Sequence, residues 1–102
     1  MPKPATFEEA VDEVLRELRG ILIDKQRDYG HNNITDFGEF GVLVRLNDKV
    51  CRLKNLLTKN KEPKNESIDD SWVDTANYAI IAIMLRKGTF TLPLKEDEQQ
   101  LK

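Results

Sequence analysis

The sequence has one cysteine, one histidine and no long apolar run, and each shortage excludes a class of protein or site. A single cysteine, Cys51, cannot form an intrachain disulfide, which argues against a disulfide-stapled secreted domain. Cys51 and His31 alone cannot supply the ligands of a structural zinc site. The longest apolar stretch, residues 79–85, is too short to cross a membrane, and no apolar run follows Met1. We therefore expect a cytoplasmic protein without a signal peptide or a membrane partner.

The chain also lacks a strong excess of charge of either sign. Its formal net charge is −2, from 16 lysine and arginine residues and 18 aspartate and glutamate residues. Proteins that coat nucleic acids are clearly basic, so nucleic acid is not an expected partner. The sequence contains no glycine-rich phosphate loop and no nucleophile with a histidine at a plausible position. Cys51 is expected to be a small buried residue.

Apolar residues recur at helical spacing in three stretches, which predicts an all-α fold, a small helical bundle of three main helices. The chain of 102 residues suffices for one domain over residues 1–102, with a thin core. The thin core favours a homo-oligomer. The predicted helices run from Thr6 to about Arg27, from Thr35 or Asp36 to about Lys59, and from Asn65 or Ser67 to Lys87.

The remaining segments are expected outside these helices. Residues 28–33 contain glycine and asparagine and predict a loop, while residues 89–94 predict an extended C-terminal segment. We expect a flexible arm over residues 1–5, a flexible loop over residues 60–65 and a charged tail over residues 95–102.

The helical periodicity also predicts which side chains form the core. The second and third predicted helices each carry an apolar stripe that is expected to face inward. The predicted core residues are Phe40, Leu43, Leu46, Val50, Leu53 and Leu57 on the second helix, and Ile68, Trp72, Ala76, Ala79, Ile80 and Ile83 on the third.

A row of polar residues lies on the third predicted helix. Glu66, Asp70, Asp74 and Asn77 recur at helical spacing, which keeps them on one face. Carboxylates one turn apart repel each other, so a cation is expected to face them. Carboxylate oxygens suit Mg²⁺, which takes one or two carboxylates together with substrate phosphates. The alternative interpretation is a solvated face that the helix dipole helps to stabilise.

A row of basic residues on the second predicted helix offers the complementary charge. Arg45, Lys49 and Arg52 lie on one face with Asp48 among them. Since guanidinium groups bind carboxylates and phosphates alike, two interpretations stay open. The basic row pairs with the acids of the third helix, or it binds phosphate while Asp48 joins Glu66, Asp70 and Asp74 at a metal ion.

A third group lies near the end of the first predicted helix. Lys25 offers a further phosphate-binding cation, and Tyr29 offers an aromatic ring on which a base can stack. Asp28 lies between them in the sequence. Each of these residues also has an ordinary structural explanation, with Lys25 on the surface and Tyr29 in the core.

Taken in order, these residues resemble a known family, the small phage and prophage domain called the nucleotide modification associated domain. The resemblance covers about residues 25–83. It rests on several spaced motifs: Lys25-x-x-Asp28-Tyr29-Gly30, Phe37-Gly38-x-x-Gly41-Val42, Arg45-x-x-Asp48-Lys49-x-x-Arg52-Leu53-x-Asn55-Leu56, Glu66-Ser67-Ile68-x-Asp70 and Asp74-x-x-Asn77-Tyr78-Ala79.

More remotely, the chain is similar to the all-α nucleotide pyrophosphatases of the MazG and dimeric dUTPase kind. That resemblance implies Mg²⁺ held by an ExxE pair on one helix and an ExxD pair on a later one. Glu66-x-x-Asp69 matches the second pair, and the second predicted helix has no ExxE. Besides Glu39, its candidate acid is Asp48.

Three functions are compatible with this pattern. The first is Mg²⁺-dependent nucleotide pyrophosphatase activity, with the metal on Asp48, Glu66, Asp70 and Asp74. The second is sequestration of a nucleotide or nucleotide-derived signal without chemistry, in the host cytoplasm if the gene is carried by a phage. The third is a salt-bridged helical interaction module. The predicted nucleotide-binding residues are Lys25, Asp28, Tyr29, Arg45, Lys49, Arg52 and Asn77.

Overall fold

The computed structural model describes residues 3–95, and over this range the chain is all-helical with no strand. The predicted all-α class is therefore confirmed. The predicted tail, residues 95–102, lies outside the described residues except for Lys95, as do the first two residues of the predicted arm. The described part contains four helices: α1 (Phe7–Tyr29), α2 (Asn32–Thr35), α3 (Gly38–Thr58) and α4 (Ile68–Lys87).

The chain divides into two compact units, residues 1–30 and residues 31–102. The first unit is formed by α1, which begins with a capping box at Thr6. The Thr6 hydroxyl accepts a hydrogen bond from the Glu9 amide at 3.1 Å, and the Glu9 carboxylate accepts one from the Ala5 amide at 2.7 Å. The helix continues two residues beyond the predicted end, through Asp28 and Tyr29, and stops at Gly30.

The second unit is a helical hairpin in which α3 and α4 run antiparallel. Glu39 at the start of α3 pairs with Arg86 at the end of α4 at 2.8 Å, and Lys49 farther along α3 pairs with Asp74. The Ser67 hydroxyl caps α4 by accepting from the Asp70 amide at 3.0 Å, as predicted. Gly88 ends α4 in the left-handed conformation, with φ 71°, which glycine adopts without steric cost.

A break between α2 and α3 was not expected from the sequence. Gly38 has φ +63° and begins α3, which therefore starts later than the predicted Thr35 or Asp36. A β-carbon built on Gly41 would lie only 2.4 Å from the β-carbon of Phe37. The two glycines thus allow the short helix α2 to turn directly into α3.

The core of the second unit is small. Its buried apolar side chains are Ile34, Val42, Leu53, Leu56, Ile81 and Phe90. The ring of Phe90 lies 5.9 Å from that of His31 in an edge-on arrangement. Phe90 belongs to the segment predicted to be extended, which instead contains a turn closed by the Leu92 amide and the Thr89 carbonyl.

The predicted core faces of both long helices are largely wrong. Phe40, Leu43, Val50 and Leu57 of α3 are exposed, although Leu53 is buried as expected. On α4, Trp72, Ala79 and Ile83 are exposed, while the polar Ser71 and Asn77 are buried. Cys51, which was expected to be buried, is exposed as well. The reason is that Lys49 and Arg52 occupy part of the side of α3 that is covered, so only Val42, Leu53 and Leu56 of this helix are buried and much of its apolar stripe points outward.

No helix within residues 3–95 combines the length and the apolar character that a membrane span requires.

Candidate functional site

The centre of the contact between α3 and α4 is the ammonium group of Lys49. Its Nζ lies 2.7 Å from Glu66 Oε1 and 2.9 Å from Asp74 Oδ2. The three side chains are mostly withdrawn from solvent, with exposed fractions of 22% for Lys49, 28% for Glu66 and 12% for Asp74. Lys49 therefore bridges the two carboxylates, and a guanidinium nitrogen of Arg52 lies 3.7 Å from Glu66 Oε2.

Arg52, one turn beyond Lys49, binds the segment that leads into α4. One guanidinium nitrogen donates to the Ser71 hydroxyl at 2.7 Å, and another donates to the backbone carbonyl of Glu66. Ser71 is fully buried, and its hydroxyl donates in turn to Glu66 Oε2 at 2.5 Å. We call Lys49, Arg52, Glu66, Ser71 and Asp74 the interhelical polar cluster.

Glu66 takes part in this cluster because it lies before α4 and not on it. The cap of α4 is Ser67, whose backbone is extended with φ −67° and ψ 159°. This extended residue places Glu66 in the connecting segment, from which its carboxylate reaches both Lys49 and Ser71. Glu66 was predicted to lie on the same helix as Asp70 and Asp74. That prediction is wrong, because Glu66 precedes α4.

The cluster changes the pKa values of two of its members in opposite directions. Hydrogen bonds from Lys49 and from Ser71 lower the pKa of Glu66 below its ordinary value of 4.5, against the opposing effect of burial. Burial by itself would lower the pKa of Lys49, but hydrogen bonds to Glu66 and Asp74 outweigh it and raise that pKa above 10.5. Both shifts favour the charged, paired forms.

The stability of the fold is therefore expected to depend on pH through Glu66. Because its native pKa is lower than its unfolded pKa, its contribution is present above about pH 4.5 and is lost as pH falls through the native value. The Lys49 contribution is complete below pH 10.5 and is lost as pH rises through its raised native pKa. Urea unfolding between pH 7 and pH 3 measures the acid limb.

The control for this prediction is a pair of matched variants. Glu66→Gln removes the titrating group and is expected to flatten the loss of stability between pH 5 and pH 3. Glu62→Gln changes an exposed acid of the same connecting segment and is expected to leave the slope unchanged. Equal slopes for the native chain and the Glu66→Gln variant would contradict the assignment.

Two polar side chains flank the cluster at its two ends. Arg45 lies one turn before Lys49 on α3 and donates to the backbone carbonyl of Asn33 at 2.9 Å. The side-chain oxygen of Asn33 is buried and accepts no hydrogen bond from the described residues. Asn77, nearly one turn beyond Asp74 on α4, is buried. The predicted residues Arg45, Lys49, Arg52, Asp74 and Asn77 thus lie on the sides of α3 and α4 that face each other.

The predicted metal ligands are not gathered in the same way. Asp48 and Asp70 are exposed, while Glu66 and Asp74 have the Lys49 ammonium between them. Within residues 3–95, no three acidic, histidine or cysteine side chains come close enough together to hold a metal ion. The Mg²⁺ site stays a prediction.

The remaining predicted residues belong to the other unit. Lys25, Asp28 and Tyr29 lie on the last two turns of α1, where all three are exposed. Their predicted contact with a nucleotide stays a prediction.

Sequence analysis missed two residues of the site, Ser71 and Asn33. A serine four residues after a helix cap gives no signal that it is buried, and Ser71 is recognised only by its contacts with Arg52 and Glu66. Asn33 was assigned to a loop because asparagine favours turns. The basic row offered one signal for Asn33. Arg45 needs a hydrogen-bond acceptor when its side of α3 is covered, and the backbone carbonyl of Asn33 supplies it.

Comparison with known proteins places most of this chain in one family. A family model described as "Nucleotide modification associated domain 1" matches residues 25–85. The matched part begins in the last turns of α1 and takes in α2, α3 and most of α4, including every residue of the interhelical polar cluster. No curated protein and no solved structure matches the chain.

Proposed function

Because this chain belongs to the family described as nucleotide modification associated domain 1, we propose that it binds a nucleotide or a nucleotide-derived small molecule. The proposed site is the row of cations along the α3–α4 contact, and the phosphate groups are the part of the ligand that it recognises. The family resemblance predicted from the sequence is confirmed at this level by the match to residues 25–85.

The observation that carries the proposal is the row of three cations on the side of α3 that faces α4. Arg45, Lys49 and Arg52 follow each other at intervals of about one turn, and the ion pairs of Lys49 and Arg52 use the carboxylates of Glu66 and Asp74. The row therefore carries one more positive charge than those two carboxylates neutralise. A phosphate group is the kind of anion that arginine and lysine bind at such a row.

The carboxylates have a defined part in this proposal. They hold Lys49 and Arg52 in fixed positions at distances of 2.7–3.7 Å, so less side-chain entropy is lost when an anion arrives. Arg45 contacts a backbone carbonyl in the described contacts, which leaves guanidinium donors for phosphate oxygens. The buried side-chain oxygen of Asn33 offers an acceptor for a ligand N–H or O–H group.

Binding is expected to depend on Arg45 far more than on an exposed cation of the same helix. Arg45→Gln removes one cation of the row on α3 with little disturbance of the interhelical polar cluster. It is expected to raise the dissociation constant of the bound nucleotide about tenfold. Lys54→Gln makes the same change of charge at an exposed position of α3 and is expected to change it less than twofold. Isothermal titration with ligands found by thermal shift measures both values.

The thermal-shift panel contains ribonucleotides and deoxynucleotides with one to three phosphates, each with and without Mg²⁺. A ligand that binds only the native state raises the melting temperature. A panel without any such ligand, or equal affinities for the two variants, would overturn the proposal. After incubation, recovery of the intact nucleotide from denatured protein indicates sequestration, whereas release of pyrophosphate indicates the Mg²⁺-dependent hydrolase.

A second candidate function follows from the same contacts. Lys49 and Arg52 already have carboxylate and hydroxyl partners within the hairpin, which favours a structural role for the cluster and an interaction module for the domain. In that case no nucleotide raises the melting temperature of the native chain, and neither Arg45→Gln nor Lys54→Gln changes this result.

A further inference from the structure

The side of α3 that faces away from the polar cluster carries a continuous apolar surface. Its six large side chains are all exposed. The first lies just before α3, and the other five follow at spacings of 3, 1, 6 and 7 residues, which place them on one half of the helix. A shallow apolar groove lined by Phe40, Leu43, Leu46 and Ala82 continues this surface toward α4. We call it the outer stripe: Phe37, Phe40, Leu43, Val44, Val50 and Leu57.

An exposed surface of this kind calls for a partner. Single exposed apolar residues are common on monomers, but contiguous patches mark interaction surfaces. Here the helix is turned so that its charged side lies against α4 and its apolar side points outward. Within residues 31–95, α3 buries Val42, Leu53 and Leu56, but the large apolar side chains on its outer side stay uncovered.

We propose that a second copy of this chain covers the outer stripe, with the two α3 helices packed antiparallel about a two-fold axis near Asn47. The proposal is independent of nucleotide binding, because the outer stripe and the polar cluster occupy opposite sides of α3. A two-fold contact of this kind uses the same surface on both copies and closes after two chains.

The distribution of charge along α3 selects the antiparallel direction. Asp36 and Glu39 lie at its beginning, where Glu39 also pairs with Arg86 of the same chain, and Lys59 lies at its end. Antiparallel packing brings the acids of one copy near the lysine of the other, whereas parallel packing brings like charges together. The helix dipoles also oppose each other favourably in the antiparallel arrangement.

The position of Asn47 selects the register. Asn47 is the polar residue in the middle of the outer stripe, and an amide at the two-fold axis meets the same amide of the other copy. This register places Leu43 opposite Cys51, which is exposed.

The first test measures mass by size exclusion with light scattering. The native chain is expected to have the mass of two copies, and Leu43→Asp is expected to weaken the dimer at least about 100-fold, because it places an unpaired charge in the contact. Leu92→Asp makes the same change at an exposed leucine outside the outer stripe and is expected to leave the dimer intact. Leu43 is 56% exposed, so the folded hairpin does not need it, and circular dichroism verifies this.

The second test uses the single native cysteine. Leu43→Cys is expected to give a disulfide-linked dimer on mild oxidation, through Cys51 of the other copy. Within one chain the two sulfurs lie about 12 Å apart along the helix, too far for an internal bond. The native chain is expected not to cross-link, since antiparallel packing separates its two Cys51 residues.

Several outcomes would overturn the proposal. An ordinary micromolar dimer is almost fully formed at a chain concentration of about 100 μM. A native chain that stays monomeric at that concentration leaves no role for a second copy. A dimer that tolerates Leu43→Asp uses another surface. Cross-linking of the native chain through Cys51 indicates a parallel contact or an axis near Cys51, and a Leu43→Cys variant that stays dimeric without cross-linking indicates another register.

Discussion

Replacing Lys49 with methionine is expected to reduce the free energy of unfolding by roughly 2–4 kcal/mol. The ammonium lies 2.7 Å from Glu66 and 2.9 Å from Asp74, and both carboxylates are mostly withdrawn from water. Methionine keeps the aliphatic volume of the side chain but removes the cation. The two acids then repel each other in a partly desolvated place, which costs more than the net stabilisation that the intact ion pairs contribute.

The measurement is urea unfolding followed by circular dichroism at neutral pH, with two comparison variants. Lys54→Met makes the same substitution at an exposed position of α3 and is expected to change stability by no more than about 0.5 kcal/mol. The triple variant Lys49→Met, Glu66→Gln, Asp74→Asn removes both unpaired charges and is expected to recover about half of the loss. If Lys49→Met proves as stable as Lys54→Met, the pairing across α3 and α4 contributes nothing.

Replacing Arg52 with methionine is the second large change, with an expected loss of roughly 2–3 kcal/mol. Arg52 connects α3 to the fully buried Ser71 hydroxyl and to the backbone carbonyl of Glu66. Without it, that carbonyl loses a donor in the segment that leads into α4. We expect faster hydrogen exchange in the first turn of α4, because this connection holds the start of the helix against α3.

Arg86 provides the matched control for Arg52. It also binds a carboxylate, that of Glu39 at 2.8 Å, but its side chain is 74% exposed. Arg86→Met is therefore expected to cost at most about 1 kcal/mol. Arg52→Lys is expected to recover little, because a lysine cannot place two donors at fixed angles on two acceptors. Equal losses for Arg52→Met and Arg86→Met would show that partial burial adds nothing to the Arg52 contacts.

Stability and nucleotide binding, measured together, separate the two proposed functions. If the chain binds phosphate through the row of cations on α3, Arg45→Gln lowers its affinity for the nucleotide at little cost in stability. A purely structural cluster has its stability changed by Lys49→Met and Arg52→Met while no nucleotide binds. The two properties are measured on different variants, and a loss of stability in Lys49→Met or Arg52→Met does not by itself decide between the two functions.

The sequence by itself determined where the three long helices lie, because the signals that begin and end them are local. Thr6 and Ser67 cap helices through contacts with residues three positions away, and Gly88 ends α4 because glycine tolerates a positive φ. Helical spacing also placed Arg45, Lys49 and Arg52 on one side of α3, and Lys49 and Arg52 bind residues that lie on α4 or just before it.

Only the tertiary structure decided which side of each helix is covered. Helical periodicity identifies an apolar face but does not state whether the same chain or another molecule buries it. In α3 the ion pairs of Lys49 with Glu66 and Asp74 take the inner side, so Phe40 and Leu43 point outward. In α4 apolar residues lie on most sides, and their spacing does not select one of them.

The same limit applies to Glu66, the residue on which the acidic row depended. Its spacing from Asp70 and Asp74 is that of a helix face, but the extended backbone of Ser67 removes it from the helix. From the connecting segment it reaches Lys49 and Ser71, which lie on different helices. A local pattern predicted a row of carboxylates waiting for a cation. The long-range packing of α3 against α4 supplied that cation as Lys49, because contacts between residues far apart in the chain form only when the helices meet.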